Sequence, residues 1–316
     1  MVMSVYNDAE YLSESVESIL SQEGVDFEFI IIDDGSTDGS GEMLDEYAAK
    51  DGRVRLIHQA NVGLTRALIR GCDIALGQYI ARQDGDDLSL AGRLAGLRKR
   101  IVSEQNLSFV SSWAKCVGPD GEQLRTVRRP SDSAEATRAL LHERQGPPAH
   151  GSVMFKKEAY EAVGGYRDGF YYAQDSDLWL RLAEIGRVAY VPEVLYAYRS
   201  SPHSISSESR EVQKEFGRLG RQCSELRLRG ESDHEVLERA EALANRIRRG
   251  EGVTKSRFGK AVGHYLIGCD LARRGDRRAL SYFGRAVMTH PFHWRAWCRL
   301  VLFSAKMLVT GTADDS

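Results

Sequence analysis

The sequence predicts an α/β fold built on a mostly parallel sheet, followed by a helical C-terminal region. Three observations carry this. Apolar, β-branched runs alternate with segments of helical spacing through the first hundred residues, the pattern of βαβ units. Dense acidic clusters follow two of those runs, where the strands end. After a Ser-rich stretch at 199–211 the pattern is almost entirely helical.

In order, "MVMSV" reads as a strand. Leu12, Val16, Ile19 and Leu20 repeat at helical spacing. "FEFIII" (27–32) is a buried strand, and the turn and cap residues of "DDGSTDGS" lead into a helix reaching about Lys50, with Thr37 or Asp38 as cap. "VRLI" (54–57) is a strand, 63–76 a helix, "QYIAR" a strand and Leu90 to Ile101 a helix, which Asp87 is placed to cap. Strands are expected at "SFVSSW", "HGSVMF" and "RVAYVP", a hairpin around "PDG", and a helix in "LWLRLAEIG" that stops at Gly186. The expected domains are 1–205, divided into a nucleotide-binding half (1–105) and an acceptor-side half (106–205), and a helical region 206–316. Within the latter Leu266, Ala279, Phe283, Ala286 and Pro291 are spaced like a single tetratricopeptide unit, and one such unit needs a neighbour to pack on. The segment 293–309, rich in Trp, Phe, Leu and basic residues, fits either a terminal helix covering that pair or a helix lying in a membrane surface.

Composition narrows the function. The chain has 316 residues, 42% hydrophobic and 28% charged, with 43 Lys and Arg against 45 Asp and Glu for a net charge of −2. That balance argues against a nucleic-acid partner held by bulk electrostatics. Five scattered cysteines without a CxxC indicate neither a zinc site nor a disulfide framework. The opening residues lack the pattern of a signal peptide, and no apolar run is long enough to span a bilayer. The expected location is the cytoplasm, with the inner face of the membrane as an alternative for the C-terminal helices.

The acidic clusters carry the chemistry. Asp84, Asp86 and Asp87 stand in "YIARQDGDDLS", Asp33 and Asp34 in "IIIDDGSTDGS". Adjacent carboxylates at a strand end raise one another's pKa and destabilise the fold. A hard divalent cation removes that cost, and Mg²⁺ or Mn²⁺ commonly takes one or two carboxylates and completes its shell with substrate phosphates. In open α/β sheets ligands bind at the carboxyl ends of strands. Asp84 and Asp86 are therefore expected at a metal and diphosphate site. The pair 33–34 offers acceptors to a base or ribose. In "QDSDLWLRLAEIG", Asp175 and Asp177 precede a helix, where either caps it or serves as a general base.

Together these motifs resemble the inverting glycosyltransferases of family 2, of the GT-A fold. The resemblance covers residues 1 to about 205 through "SVYNDAEYLSESVESILSQ", "IIIDDGSTDGS", "NVGLTRALIRGCDIALGQYIARQDGDDLS", "HGSVMFKKEAYEAVGGY", "QDSDLWLRLAEIGRVAYVPEVLYAYR" and "HSIS". It implies a nucleotide-sugar donor, most often a UDP-sugar, a Mn²⁺ or Mg²⁺ cofactor, and a glycan or lipid-linked glycan acceptor. It further implies that Asp34 hydrogen-bonds the nucleotide base with Tyr6 beside it, that Asp84 lies near ribose and metal, that Asp86 holds the cation, and that Asp175 is the catalytic base. His150 falls where relatives line the acceptor side, and Arg199 and His203 on a loop that could close over the diphosphate. The sequence departs from the family pattern at Ser4 and Ala91, where Pro is common, at Ile69 for Asn, and at Gln174 for the Glu before the base. Two alternatives are a degenerate sugar-nucleotide-binding scaffold, against which the retention of all four acids argues, and a sugar nucleotidyltransferase, whose Gly-rich basic loop is missing from "SVYNDAEYL".

Overall fold

The computed structural model describes residues 1–202, 209–251 and 257–311, with side chains to residue 305. Strands β1 (Val2–Val5), β2 (Phe29–Asp33), β3 (Val54–His58) and β4 (Tyr79–Asp84) alternate with helices α1 (Ala9–Leu20), α2 (Ser40–Lys50) and α3 (Leu64–Asp73). β1 pairs in parallel with β2 and β4, and β2 in parallel with β3. Then follow β5 (Leu88–Ser89), α4 (Arg93–Val102), β6 (Leu107–Val117), β7 (Gln123–Val127), α5 (Ser133–Glu143), β8 (Met154–Lys156), α6 (Lys157–Ala162), α7 (Gln174–Ile185) and β9 (Arg187–Arg199). The sheet order is β3-β2-β1-β4-β8-β6-β9-β5, with β7 paired to β6. β8 runs antiparallel to β4 and β6, and β5 antiparallel to β9.

Alternation along the strands sends side chains to two cores. Val2, Ile30, Ile32 and Ile80 join Leu68, Leu178 and Leu182 in one. Met3, Val5, Phe29 and Ile31 join Leu12, Val16, Ile19 and Leu97 in the other. Burial on both faces is why β1 and β2 read as nearly unbroken apolar runs, while β3 at the sheet edge is only partly buried. At Gly71 of α3 an added Cβ would lie 2.7 Å from Val2 Cγ1, so the helix packs tightly onto β1 because it lacks a side chain there.

Three expectations need correction. The helix placed near Leu90 starts at Arg93 behind Gly92, because Leu88 and Ser89 instead pair with Ala197 and Tyr196 of β9. Asp87 thus caps nothing there; it is buried, its backbone N–H on the Asp84 carbonyl. In "HGSVMF" residues His150–Ser152 form a 3₁₀ turn, and the strand begins only at Met154. The Gly151 N–H bonds the Asp84 carboxylate instead of a ladder partner.

His58 closes β3 between two acids, with Nδ1 2.8 Å from Asp33 Oδ2 and Nε2 3.1 Å from Asp45 Oδ1. The Asp33 and Asp45 bonds raise the imidazole pKa above its ordinary value of 6.5. A pKa raised in the folded state adds stability that is complete below the unfolded value and lost as pH rises through the folded one. His58→Ala is expected to lower urea stability at pH 5.5 by more than at pH 9, read by denaturation at the two pH values.

Contacts group the chain differently from a single cut near residue 205. One compact unit comprises 1–115, 126–198 and 214–251; the other comprises 116–125, 199–213 and 252–316. The first includes most of the helix Arg210–Leu228 and the helix His234–Arg248, whose Arg248 pairs with Asp168 at 2.5 Å. The second holds the helices Arg257–Arg273, Ala279–Thr289 and Trp294–Gly311. Here the 116–125 segment is tied to the helices by Arg125 to Asp270 at 2.5 Å and by the Tyr282 hydroxyl to Glu122 at 2.8 Å. Ala279, Phe283 and Ala286 are buried, but Leu266 is exposed. Gly268 sits against the Phe283 ring in its stead, where an added Cβ would be 2.8 Å from Cδ1.

Candidate active site

Register assembles the site. Val5 is level with Asp33 and Ser4 with Asp84, so the ends of β2 and β4 flank the end of β1. Chain from all three strands leaves the sheet here: Tyr6 to Asp8, Asp34 to Ser36, and Gly85 to Asp87.

On the β2 side, the Asp34 carboxylate is buried and holds the following loop. Oδ1 accepts from Gln59 Nε2 at 2.6 Å and Val62 N at 3.0 Å, and Oδ2 from Gly63 N at 2.8 Å. Three donors leave one of its roughly four lone-pair sites, on Oδ2, uncommitted to this loop. Asp33 instead binds Ser36 N and His58. Asp38 bonds Ser40 and the Ala9 N–H, joining the starts of α2 and α1. Tyr6 is 50% exposed at the end of β1, and Tyr171 lies against Gly63, where an added Cβ would be 3.4 Å from Cε2.

On the β4 side, Asp84 Oδ1 accepts from Arg82 Nη2 at 2.8 Å and Oδ2 from Gly151 N at 3.0 Å. Arg82 is fully buried; its Nη1 donates to the Val2 carbonyl at 2.6 Å, and its Nε to His150 Nε2 at 3.3 Å. A second buried arginine, Arg93, donates to the Arg82 and Gly151 carbonyls and lies 4.7 Å from the Tyr196 ring centroid. These cations offset the acids above them. Gly151 cannot carry a side chain: a Cβ there would overlap the Tyr196 hydroxyl and lie 2.9 Å from Asp84 N. Gly151→Ala is expected to cost about 1–3 kcal/mol of stability by overpacking, read by thermal melts.

The acid that sequence reasoning missed is Asp8. It stands at the N-cap of α1 but makes no side-chain cap bond. Its carboxylate instead faces Gly85, where a Cβ would be 2.5 Å from Oδ2. Burial, then the Asp86 carboxylate, then Asp84 push its pKa up to about 7. Burial is the larger cause, and the neighbouring acids add to it.

Asp175 is the second residue of α7, and its Oδ1 accepts from Ser176 N at 2.7 Å. Neither it nor Asp177 caps the helix. The N-cap is Ala173, in the left-handed region at φ 54°. Asp177 is buried and paired with Arg181 at 2.6 Å and Arg167 at 3.5 Å, a structural role. His150 meets the β4 acids through Arg82, which bonds both it and Asp84. Its ring packs edge-on to Tyr166 and Trp179, and Nε2 is 2.7 Å from the Tyr166 hydroxyl. Burial and the adjacent Arg82 lower its pKa to about 4, against the opposing fields of Asp84 and Asp175. The ring is therefore neutral, with Nε2 accepting from Arg82. Arg199 spends its Nη1 on the Pro119 carbonyl at 3.1 Å, within the second unit. His203 lies outside the described residues.

The donor set suits a hard divalent ion shared with phosphate. The candidate side-chain donors are carboxylates: Asp84 at the end of β4, Asp86 on the loop after it, and Asp8 on the chain leaving β1. Among the described residues no group of three or more His, Cys, Asp or Glu forms a metal cage.

Comparison with known proteins agrees with this geometry. The family described as "Glycosyl transferase family 2" matches residues 1–164. EpsE of Bacillus subtilis, designated a glycosyltransferase, is 34% identical over 66% of this chain and 75% of its own. A chondroitin synthase of Pasteurella multocida is 30% identical over 60% of this chain, a region that spans only 19% of that protein. Among solved structures, a mannosyltransferase from Pyrobaculum calidifontis in complex with GDP-Man and Mn²⁺ matches with a TM-score of 0.55 over 100% of this chain and 87% of its own, at 19% identity. Staphylococcus aureus TarS in complex with UDP matches at 0.53 over 92% of this chain and 80% of its own, at 14% identity. Those two show a shared fold, a mixed sheet flanked by helices of the GT-A kind. With a GT-A-like sheet and more than half its length matched by the family, the chain belongs to glycosyltransferase family 2 and is a glycosyltransferase.

Proposed function

We propose that the enzyme transfers a sugar from a nucleoside diphosphate donor, a UDP-sugar in the first instance, to a hydroxyl acceptor by a single inverting displacement, in the synthesis of a surface polysaccharide or similar glycan. The observation that carries this is the convergence of the β2 and β4 acids on either side of β1. The names of the relatives, which include a chondroitin synthase, and the GDP-Man, UDP and Mn²⁺ in the fold neighbours point the same way.

In this reading Tyr6 lies beside the base and Asp34 accepts a base N–H. Asp86 and Asp84 would hold Mn²⁺ or Mg²⁺, which when bound would neutralise the departing diphosphate. Asp175 accepts the proton of the acceptor hydroxyl as that oxygen attacks the anomeric carbon. His150, neutral and held by Tyr166 and Arg82, lines the acceptor side. Arg199 and His203 are assigned to a loop over the diphosphate. The acceptor is a glycan or a lipid-linked glycan.

The test is release of nucleoside diphosphate from UDP-, dTDP- and GDP-sugars over a panel of saccharide and lipid-linked acceptors, with Mn²⁺ or chelator, and the anomeric configuration of any product read by NMR. Transfer from one donor class, with inversion and lost to chelator, is expected. Retention of configuration would contradict the mechanism, and undiminished transfer in chelator the metal role.

A further inference from the structure

The helix Trp294–Gly311 has two unlike faces. Ala296 and Phe303 are buried, and the Phe303 ring lies 6.4 Å from Phe283 on the preceding helix. This face covers the helical pair, as one sequence expectation had it. The opposite face is apolar too, yet open to water: Trp294 is 67% exposed and Leu302 67%, with Trp297 and Val301 also exposed. At ~100° per residue, Trp297, Val301, Trp294, Cys298 and Leu302 follow one another around a single arc of about 140°. Arg295 and Arg299 fall along one margin of that arc, between the open face and the buried one, and both are exposed. Phe292, just before the helix, is 87% exposed.

Charge decides what such a face meets. From residue 277 to 313 the chain contains no Asp or Glu, while Arg277, Arg278, Arg285, Arg295, Arg299 and Lys306 all fall there. Open tryptophans and aliphatic side chains bordered by arginine, without acids, are the composition of a helix that lies in the headgroup layer of an anionic bilayer. A second copy of this chain is a poorer occupant. A two-fold contact through this face would set Arg295 and Arg299 against their own kind, with no acid in the segment to pair them. Among the described residues no helix is long and apolar enough to cross a membrane.

We propose that the open face of the helix Trp294–Gly311 docks the enzyme on an anionic lipid surface, with the helix in the plane of the interface and Arg295 and Arg299 at the headgroups. This goes beyond the transfer reaction and does not depend on which donor or acceptor is used.

The experiment is flotation of the full-length protein with vesicles of phosphatidylcholine alone or mixed with phosphatidylglycerol, at low and high salt. Tryptophan emission is recorded in parallel. The wild type is expected to float with the anionic vesicles, to be released by salt, and to show a blue-shifted emission when bound. Trp294→Ser/Leu302→Ser and Arg295→Glu/Arg299→Glu are each expected to lower partitioning on the order of tenfold or more, with circular dichroism and nucleotide binding unchanged. The two variants alter exposed side chains of different chemistry, so a folding defect in one leaves the other decisive. Absence of flotation, or equal flotation with neutral vesicles, would overturn the proposal. So would a concentration-dependent dimer in light scattering that Trp294→Ser/Leu302→Ser abolishes while the wild type ignores lipid, since that assigns the face to a second copy.

Discussion

Asp175→Asn is expected to lower kcat for sugar transfer by about 10²–10⁴-fold, the range for loss of a general base, while leaving donor binding within a few-fold of wild type. The substitution is close to isosteric. An Asn oxygen still accepts from Ser176 N, the bond that holds Asp175 Oδ1 at 2.7 Å, so the start of α7 keeps its shape. What is lost is the ability to take a proton. A role confined to the local turn predicts a different result, in which Asn substitutes freely. Steady-state kinetics with the donor varied separates the two outcomes, and transfer within a few-fold of wild type would remove Asp175 from the role of base.

Asp86→Asn is expected to lower nucleotide affinity in Mn²⁺ by about tenfold or more, since a carboxylate is a far better ligand than an amide for a hard ion. In chelator the variant and the wild type are expected to bind alike. The same substitution removes the charged neighbour that, after burial, most raises the Asp8 pKa. Without metal, at pH 8, the variant is therefore expected to melt no lower than the wild type and to lose much of the rise in melting temperature that Mn²⁺ gives the wild type with UDP. A carboxylate that merely supported the fold would show the opposite, a lower melting temperature under both conditions.

The centre of the parallel sheet was legible because β1 and β2 are buried on both faces, which leaves their runs almost without polar residues. The hairpin around "PDG" was legible from its turn residues, and β6 and β7 do pair across it. Leu88–Ser89 was not, because two residues carry no period, and their pairing with β9 depends on chain more than a hundred positions away. The same non-local pairing moved the start of α4 and freed Asp87 from capping. His150 to Ser152 leave the strand for a reason no local pattern contains: Gly151 must pass under Tyr196 to reach Asp84.

At the site the acids were visible because like charges at strand ends are costly and so stand out. Asp8 was hidden by its setting. An Asp just before a helix ordinarily reads as a cap, and only the neighbouring loop after β4 shows what it faces. Arg82 had a signal that was available: an arginine inside the apolar run "YIARQD" needs buried partners, and it finds them in Asp84, His150 and the Val2 carbonyl. Leu266 shows the converse. Its spacing fitted a repeat unit, but Gly268 is the residue that makes room for Phe283.

The central claim is that the crowded carboxylates at the ends of β1 and β4 exist to share a cation with a nucleoside diphosphate. Calorimetric titration of UDP, dTDP and GDP into the purified enzyme, with Mn²⁺ and with chelator, tests it most directly. The account predicts that one of the three binds, that binding requires Mn²⁺, and that Asp86→Asn weakens it. Binding that is equally tight in chelator, or no metal-dependent binding by any of the three, would contradict it.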